Sequence, residues 1–342
     1  MTGLRYPRPL TAGDRIDVPA PSMGVPTALH ARFDHAVQDL GASGFIVEVG
    51  DFARRDGLVP GPASARQAEL MAAFAGPARA VLPPWGGELA IELVDRTDWP
   101  ALAEDPKWFV GWSDISTLLL PLTITTGVAT LHGANLMDEP WELPAEFHRW
   151  TDVASLPVGA SFTQSAAPHR RSRPWGIWEE EPLGRGAAYE APTVWRALSG
   201  DDDVKMRGRL IGGCLETVSL LAGSRYGDVS GFAQRHAPEG VIVYLEVCDS
   251  DAATVLRTLW ALRLSGWFDH ASGVLIGRTT APDVPDLTQS EAVERALADL
   301  GIPVILDFDT GHQPPQMPLV NGALAEVELV SGQGRITQHL VP

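Results

Sequence analysis

The chain has 342 residues, of which 45% are hydrophobic and 20% charged, enough for a well-buried core and for two domains of ordinary size. A formal net charge of −17 argues against nucleic acid polymers and anionic membranes as partners. Cys214 and Cys248 supply neither a disulfide framework nor a metal-ligand pattern, and no apolar run suits a leader or a membrane span, so a cytoplasmic protein without a metal site is expected.

A short strand over 15–19 leads into Ala20-Pro21-Ser22-Met23-Gly24, a loop of turn formers. Leu29, Phe33, Val37 and Leu40 recur at helical spacing, and Gly41 is expected to stop that helix. A strand over 45–49, a helix over 64–74 and a strand over 78–82 follow. The last of these runs into Pro83-Pro84-Trp85-Gly86-Gly87, and a helix begins over 88–94. Trp108-Phe109-Val110 reads as the end of a buried strand, Gly111 permits a sharp turn, and Ser113-Asp114 opens an apolar helix to 122. A strand over 128–132 comes next. This alternation predicts an α/β protein with a doubly wound, mostly parallel sheet and helices on both faces. Ligands of such sheets sit beyond the carboxyl ends of the strands, where Gly86-Gly87 and Ser113 both lie.

The stretch 137–205 lacks clear periodicity and holds Trp141, Trp150, Trp175, Trp178 and Trp195, five of the 11 tryptophans. Irregular segments of this length serve as functional lids or as connections, and both readings stay open. From Arg207 a second unit begins, with a strand through Gly208-Arg209-Leu210-Ile211 that ends in Gly212-Gly213 and a helix to 221. A strand over 241–245 runs directly into Glu246. Asp249 or Ser250 is expected to cap a helix carrying Val255, Leu256, Leu259 and Leu262, closed by Gly266. A strand over 273–277 follows, and Thr288 and Glu291 form a capping-box pair for a helix through 300. A strand over 304–308 leads to Asp309-Thr310-Gly311-His312, and Asn321-Gly322 signals a hairpin. The expected division is an N-terminal α/β domain over 1–140, an irregular Trp-rich insertion or linker over 141–205, and a C-terminal domain over 206–342.

A serine at a strand-to-helix turn projects its hydroxyl beside the first N–H groups of the helix, which is the geometry of a nucleophile elbow. On these residues alone Ser113 reads first as a helix N-cap, since Ile115 stands where an elbow usually has its second Gly. A serine nucleophile also needs a base, a carboxylate to orient it and donors for the oxyanion. Among nine histidines, His132 and His312 stand at strand exits, and His312 is held between Gly311 and Gln313-Pro314-Pro315. Glu246 ends a hydrophobic strand, a costly place for a carboxylate without a partner. That partner is an imidazole or an arginine such as Arg209 or Arg278. Ser113, Glu246 and His312 follow the order Ser…acid…His, one of several known.

The sequence resembles the LD-carboxypeptidase family of serine peptidases, which includes the microcin C immunity peptidases. The resemblance is carried by Ala20-Pro21-Ser22, Pro84-Trp85-Gly86-Gly87, Gly111-Trp112-Ser113-Asp114 and Gly208-Arg209-Leu210-Ile211-Gly212-Gly213. Tyr244-Leu245-Glu246 and Asp307-Phe308-Asp309-Thr310-Gly311-His312 resemble the acid and base segments. The resemblance implies a flavodoxin-like N-terminal lobe and a C-terminal α/β lobe, with the active site at their interface. It implies Ser113 as nucleophile, His312 as general base, Glu246 as the group orienting it, and the N–H groups of Gly87 and Asp114 as oxyanion donors. Gly86 and Trp112 would border the substrate, and no cofactor is implied. Homodimers are common in the family. Cys214 stands where relatives usually have Asn, and Val247 where Asp is frequent. The long Trp-rich stretch resembles the insertion of the microcin-immunity branch, in which a loop aromatic stacks on the nucleotide, with Trp175 and Trp178 as candidates here.

The reading that follows is a serine carboxypeptidase-type amidase acting on a small peptide or on a peptidyl- or aminoacyl-nucleotide. The same resemblance allows an LD-carboxypeptidase of muropeptide recycling. A doubly wound binding module holding an anion at Gly86-Gly87 without turnover belongs to another class, and a family member that keeps the fold but has lost activity is a further option.

Overall fold

Strands buried on both faces read as continuous apolar runs, and Trp108–Gly111 is such a run, buried at every position. In the computed structural model, which describes residues 3–172, 178–186, 188–201 and 203–342, it lies mid-sheet. Strands β1 (Arg15–Val18), β2 (Ile46–Val49), β3 (Ala80–Val81), β4 (Trp108–Gly111) and β5 (Thr130–His132) pair in parallel in the order 5-4-3-1-2. This is the doubly wound order of flavodoxin-like folds, whose ligand crevice lies at the carboxyl ends of the strands.

The stretch 137–205 is more ordered than its composition predicts. It contributes a helix over Trp150–Ala154 and strands β6 (Ser161–Ser165), β7 (His169–Arg171), β8 (Tyr189–Pro192) and β9 (Arg196–Ala197). Trp141, Trp150 and Trp195 are buried. The second sheet centres on four parallel strands, β10 (Asp203–Cys214), β11 (Val241–Glu246), β12 (Ala271–Gly277) and β13 (Val304–Phe308). The chain then makes β14 (Leu319–Asn321), β15 (Leu324–Val330) and β16 (Gln333–His339). The sheet order is 6-16-15-10-11-12-13-9, with antiparallel strands at both flanks.

Three local expectations give way to long-range structure. The turn at Asn321-Gly322 forms, with Ala323 N–H donating to Val320 at 3.0 Å, but it makes no hairpin: β14 pairs with β5 in the first sheet and β15 with β10 and β16 in the second. The helix over His30–Ala42 runs through Gly41 and turns at Gly44, which has the left-handed φ of +97°. The cap of the helix over Ala252–Leu264 is Asp251, whose side chain accepts from Thr254 N–H at 2.7 Å, while the N–H groups of Asp249 and Ser250 donate to the Glu216 carboxylate. The capping box of Thr288 and Glu291 forms as predicted.

The helix over Ser116–Thr126 joins the two units. It is apolar all round and buried from Ser116 to Ile124, as such a helix must be. Its leucines share one core with Val94 and Phe109 of the first unit and Ile211, Val243 and Val274 of the second. The carboxyl ends of β4 and β11 therefore meet across its N-terminus. Among the described residues no helix is long and apolar enough to cross a membrane.

Candidate active site

Ser113 follows β4 in the left-handed region, at φ +59°, a conformation that costs a non-glycine residue about 1–2 kcal/mol. It is not the N-cap: that position is Trp112, and no side chain caps the turn. The hydroxyl lies beside Gly86 and His312. A side chain at Gly86 would stand 2.8 Å from Ser113 Oγ and 3.3 Å from the Asp114 nitrogen, so only glycine leaves room there. Among the described residues the N–H groups of Gly87 and Asp114 donate to no protein acceptor, leaving two backbone donors beside the hydroxyl.

Glu246, the last residue of β11, is fully buried, and His312 Nδ1 lies 2.7 Å from its Oε2. His312 Nε2 lies 3.2 Å from Ser113 Oγ. The arginine alternative for Glu246 does not hold, since Arg209 pairs with Glu239 and Arg278 with Asp309. Gly311 makes the approach possible: it has φ +104°, and a side chain there would meet Glu246 Cβ at 2.6 Å. Burial alone would raise the Glu246 carboxyl, but the facing His312 imidazole holds it below the usual range. Burial alone would lower His312, yet Glu246 and the Cys248 side chain outweigh it and keep the imidazole well above the ordinary histidine value.

Several supporting residues had no signal as such in the sequence. The Asp114 carboxylate accepts from Ser22 Oγ at 2.5 Å, Ala90 N–H at 2.8 Å and Thr117 Oγ1 at 3.2 Å. It ties the Ala20-Pro21-Ser22 loop and the segment after Gly87 to the serine turn. Buried Arg66 donates to the carbonyls of Pro21 at 2.6 Å and Leu89 at 3.2 Å and pairs with Glu92. On the histidine side, buried Arg278 pairs with Asp309 and donates to the carbonyls of Gln313 at 3.2 Å and Pro315 at 2.6 Å. Asp309 also accepts from Trp195 Nε1 at 2.7 Å. The loop carrying His312 is thus pinned on both sides of the ring.

Trp112 is buried, its ring 4.4 Å from that of His312, and its Nε1 donates to Asp138 at 2.8 Å. It is the floor under the imidazole. Burial raises Asp138 to about 6 despite this bond. The spacing Asn135-x-x-Asp138 forms a capping box and was the readable signal for this residue. Trp178 packs on Trp85 at 5.8 Å, close to the Gly86-Gly87 loop, whereas Trp175 lies outside the described residues. His132 is fully buried, and burial lowers it to about 4, so it is neutral near pH 7. A cavity beside the His312 loop is lined by Asp138, Trp141, Arg171, Tyr189, Pro314 and Gln316.

Strand pairing also assembles a group that cysteine spacing does not announce. Cys214, at the end of β10, sits opposite Glu246 of β11, and its N–H donates to Ser116 Oγ at 3.2 Å. Its thiol donates to Glu216 at 3.3 Å, and the same carboxylate accepts from Cys248 N–H at 3.0 Å.

Residues 16–133 match the LD-carboxypeptidase N-terminal domain and residues 207–327 the LD-carboxypeptidase C-terminal domain. The chain belongs to the LD-carboxypeptidase family. A Vibrio cholerae relative named "Putative carboxypeptidase" is 28% identical over 92% of each chain. The microcin C7 self-immunity protein MccF of Escherichia coli is 24% identical over 97% of this chain and 95% of its own. Among solved structures, MccF in complex with glutamyl sulfamoyl guanosine superposes with a TM-score of 0.78 at 22% identity, covering 98% of this chain and 99% of that one. The muramoyltetrapeptide carboxypeptidase of Oxalobacter formigenes does so with a TM-score of 0.70 at 19% identity, covering 96% and 99%. These likenesses establish an α/β fold shared by peptidases of this family.

Proposed function

We propose that this LD-carboxypeptidase family member is a serine carboxypeptidase-type amidase that hydrolyses peptidyl- or aminoacyl-nucleotide amides through Ser113, His312 and Glu246. The observation that carries the reading is the unbroken contact from Ser113 Oγ to His312 Nε2 at 3.2 Å and from His312 Nδ1 to buried Glu246 at 2.7 Å. Ser113 attacks the carbonyl carbon while neutral His312 takes its proton. Glu246 holds the ring in the tautomer that leaves Nε2 free to accept, and stabilises the imidazolium. The N–H groups of Gly87 and Asp114 receive the oxyanion, and preorganised donors of this kind are worth about 3–4 kcal/mol each. The imidazolium protonates the leaving amine. Water then enters, His312 takes its proton, and the acyl-enzyme is released as a carboxylic acid.

The protonation of His312 sets the pH dependence. His312 must be neutral to act, so activity falls as the pH drops through its raised pKa, above the ordinary histidine value. Trp178, beside Trp85 at the mouth of the Gly86-Gly87 loop, is the described aromatic that suits stacking on a base. MccF binds aminoacyl-sulfamoyl nucleosides, and the length and tryptophan content of 137–205 support the nucleotide reading here. The likeness to a muramoyltetrapeptide carboxypeptidase and to a probable murein peptide carboxypeptidase supports a second substrate, the muropeptide tetrapeptide. Both substrates are tested together, an aminoacyl-sulfamoyl adenosine and an LD-linked tetrapeptide, with wild type and Ser113→Ala and products read by mass spectrometry. Serine-dependent cleavage of the nucleotide conjugate supports the proposal. Cleavage of the tetrapeptide alone moves the protein to cell-wall recycling, and cleavage of neither removes both readings.

A further inference from the structure

Cys214 and Glu246 end neighbouring parallel strands in direct register, and His312 closes over them from the loop after β13. One ligand atom from each of the three residues lies within 4.8 Å of the other two. Cys214 and Glu246 are buried, and Glu246 Oε1 has no hydrogen-bond partner among the described residues. A carboxylate oxygen shielded from water in this way is unfavourable unless a proton or a cation meets it. Each donor comes from a different part of the chain, and each is fixed. The Cys214 thiol is oriented by Glu216, Glu246 by its strand, and His312 by the loop that Arg278 pins.

The donor set is selective. Magnesium and calcium prefer all-oxygen sites, whereas one thiolate, one imidazole and one carboxylate suit zinc. Bond lengths of about 2.0–2.3 Å at tetrahedral angles place such ligand atoms roughly 3.4–3.6 Å apart, so small side-chain rotations close the set around an ion. We propose that Cys214, Glu246 and His312 form a binding site for a thiophilic divalent cation of the zinc class, and that the bound ion switches hydrolysis off by occupying the acid and the base. Binding replaces the Cys214 S–H bond with a sulfur–metal bond and releases the thiol proton to solvent, together with the extra proton of any His312 imidazolium, with no change of oxidation state. The binding stands on geometry alone, and the inhibition rests on the hydrolase reading above.

The test uses the full chain, freed of metal by chelation and then titrated with Co2+, whose thiolate complexes give a near-ultraviolet charge-transfer band. One equivalent should bind wild type and Cys248→Ser with the band, and Cys214→Ser without it. Zn2+ should displace Co2+ and inhibit hydrolysis reversibly, each protein being referred to its own metal-free rate. Loss of the thiolate should raise the inhibiting Zn2+ concentration at least about tenfold. Glu246→Gln should weaken Co2+ binding while keeping the band, a readout that needs no activity. A band lost in Cys248→Ser but kept in Cys214→Ser overturns the assignment, as does stoichiometric Zn2+ binding without inhibition. An unchanged Co2+ spectrum in all variants removes the site altogether.

Discussion

The serine side of the site is positioned by backbone, and the histidine side by buried charge. Ser113 stands where it does because β4 ends in a tight turn at φ +59°, with Gly86 against the hydroxyl and the Asp114 carboxylate binding three neighbouring donors. His312 is on a loop outside regular structure, and what holds it is the Glu246 carboxylate at Nδ1 and the Arg278–Asp309 pair around the loop. The backbone conformation of the turn is local in sequence, although Asp114 also fastens it to Ser22 and Ala90 from distant segments. An ionic scaffold joins residues dozens of positions apart and depends on both partners being buried together. The difference teaches that substitutions on the two sides should fail differently: those in the turn remove chemistry or crowd it, and those in the ionic scaffold also remove stability.

The largest effect is expected at the proposed nucleophile. Ser113→Ala should lower kcat about 10⁴-fold or more with an unchanged unfolding midpoint, measured by hydrolysis and calorimetry. Glu246→Gln comes next: it keeps the volume but loses the carboxylate that faces His312 Nδ1, and kcat should fall by about 10³–10⁴-fold. Because Glu246 raises His312, the remaining activity should keep its acidic limb at a lower pH than wild type. A limb that stays in place would show that the titrating group is not His312.

Arg278→Met sharpens the comparison. It leaves Asp309 buried and unpaired, so stability should drop by about 3–5 kcal/mol in denaturant titrations, together with kcat. On the opposite side, Ser22→Ala removes one donor to Asp114 and should cost only about 0.5–1.5 kcal/mol. Equal losses from the two would erase the distinction between the sides. The smallest effect is expected for Trp178→Ala, a rise of about tenfold or less in KM for the nucleotide substrate with kcat retained, since a stacked ring contributes roughly 0.5–1.5 kcal/mol beyond its area.

Much of the fold is legible from the sequence because its signals are local. Apolar runs such as Trp108–Gly111 and Val241–Glu246 mark buried parallel strands, and the alternation with helices announces the doubly wound sheet. Ser113, Glu246 and His312 each carry a local signal, as a serine at a turn, a carboxylate ending an apolar strand and a histidine followed by Gln-Pro-Pro, but Ser113 alone reads first as a helix cap and the resemblance is what joins the three. What stays hidden depends on which distant element becomes the partner. Asn321-Gly322 has hairpin chemistry, yet its flanking strands join different sheets. Strand β6 reads as polar because alternate residues face solvent, and it is a strand because β16 pairs with it. Arg66 gives no signal of its burial, and Arg278, a candidate partner for Glu246, meets Asp309 instead once the fold buries them.

The central claim is that one end of each sheet supplies half of a single serine-nucleophile site. Labelling by an activated fluorophosphonate, followed by intact-mass and peptide mapping, tests it most directly. Wild type should take up one equivalent on Ser113, and His312→Ala and Glu246→Gln should label far more slowly although their serine turn is untouched. Labelling at another residue, or labelling of Ser113 at the same rate in all three proteins, would contradict the account.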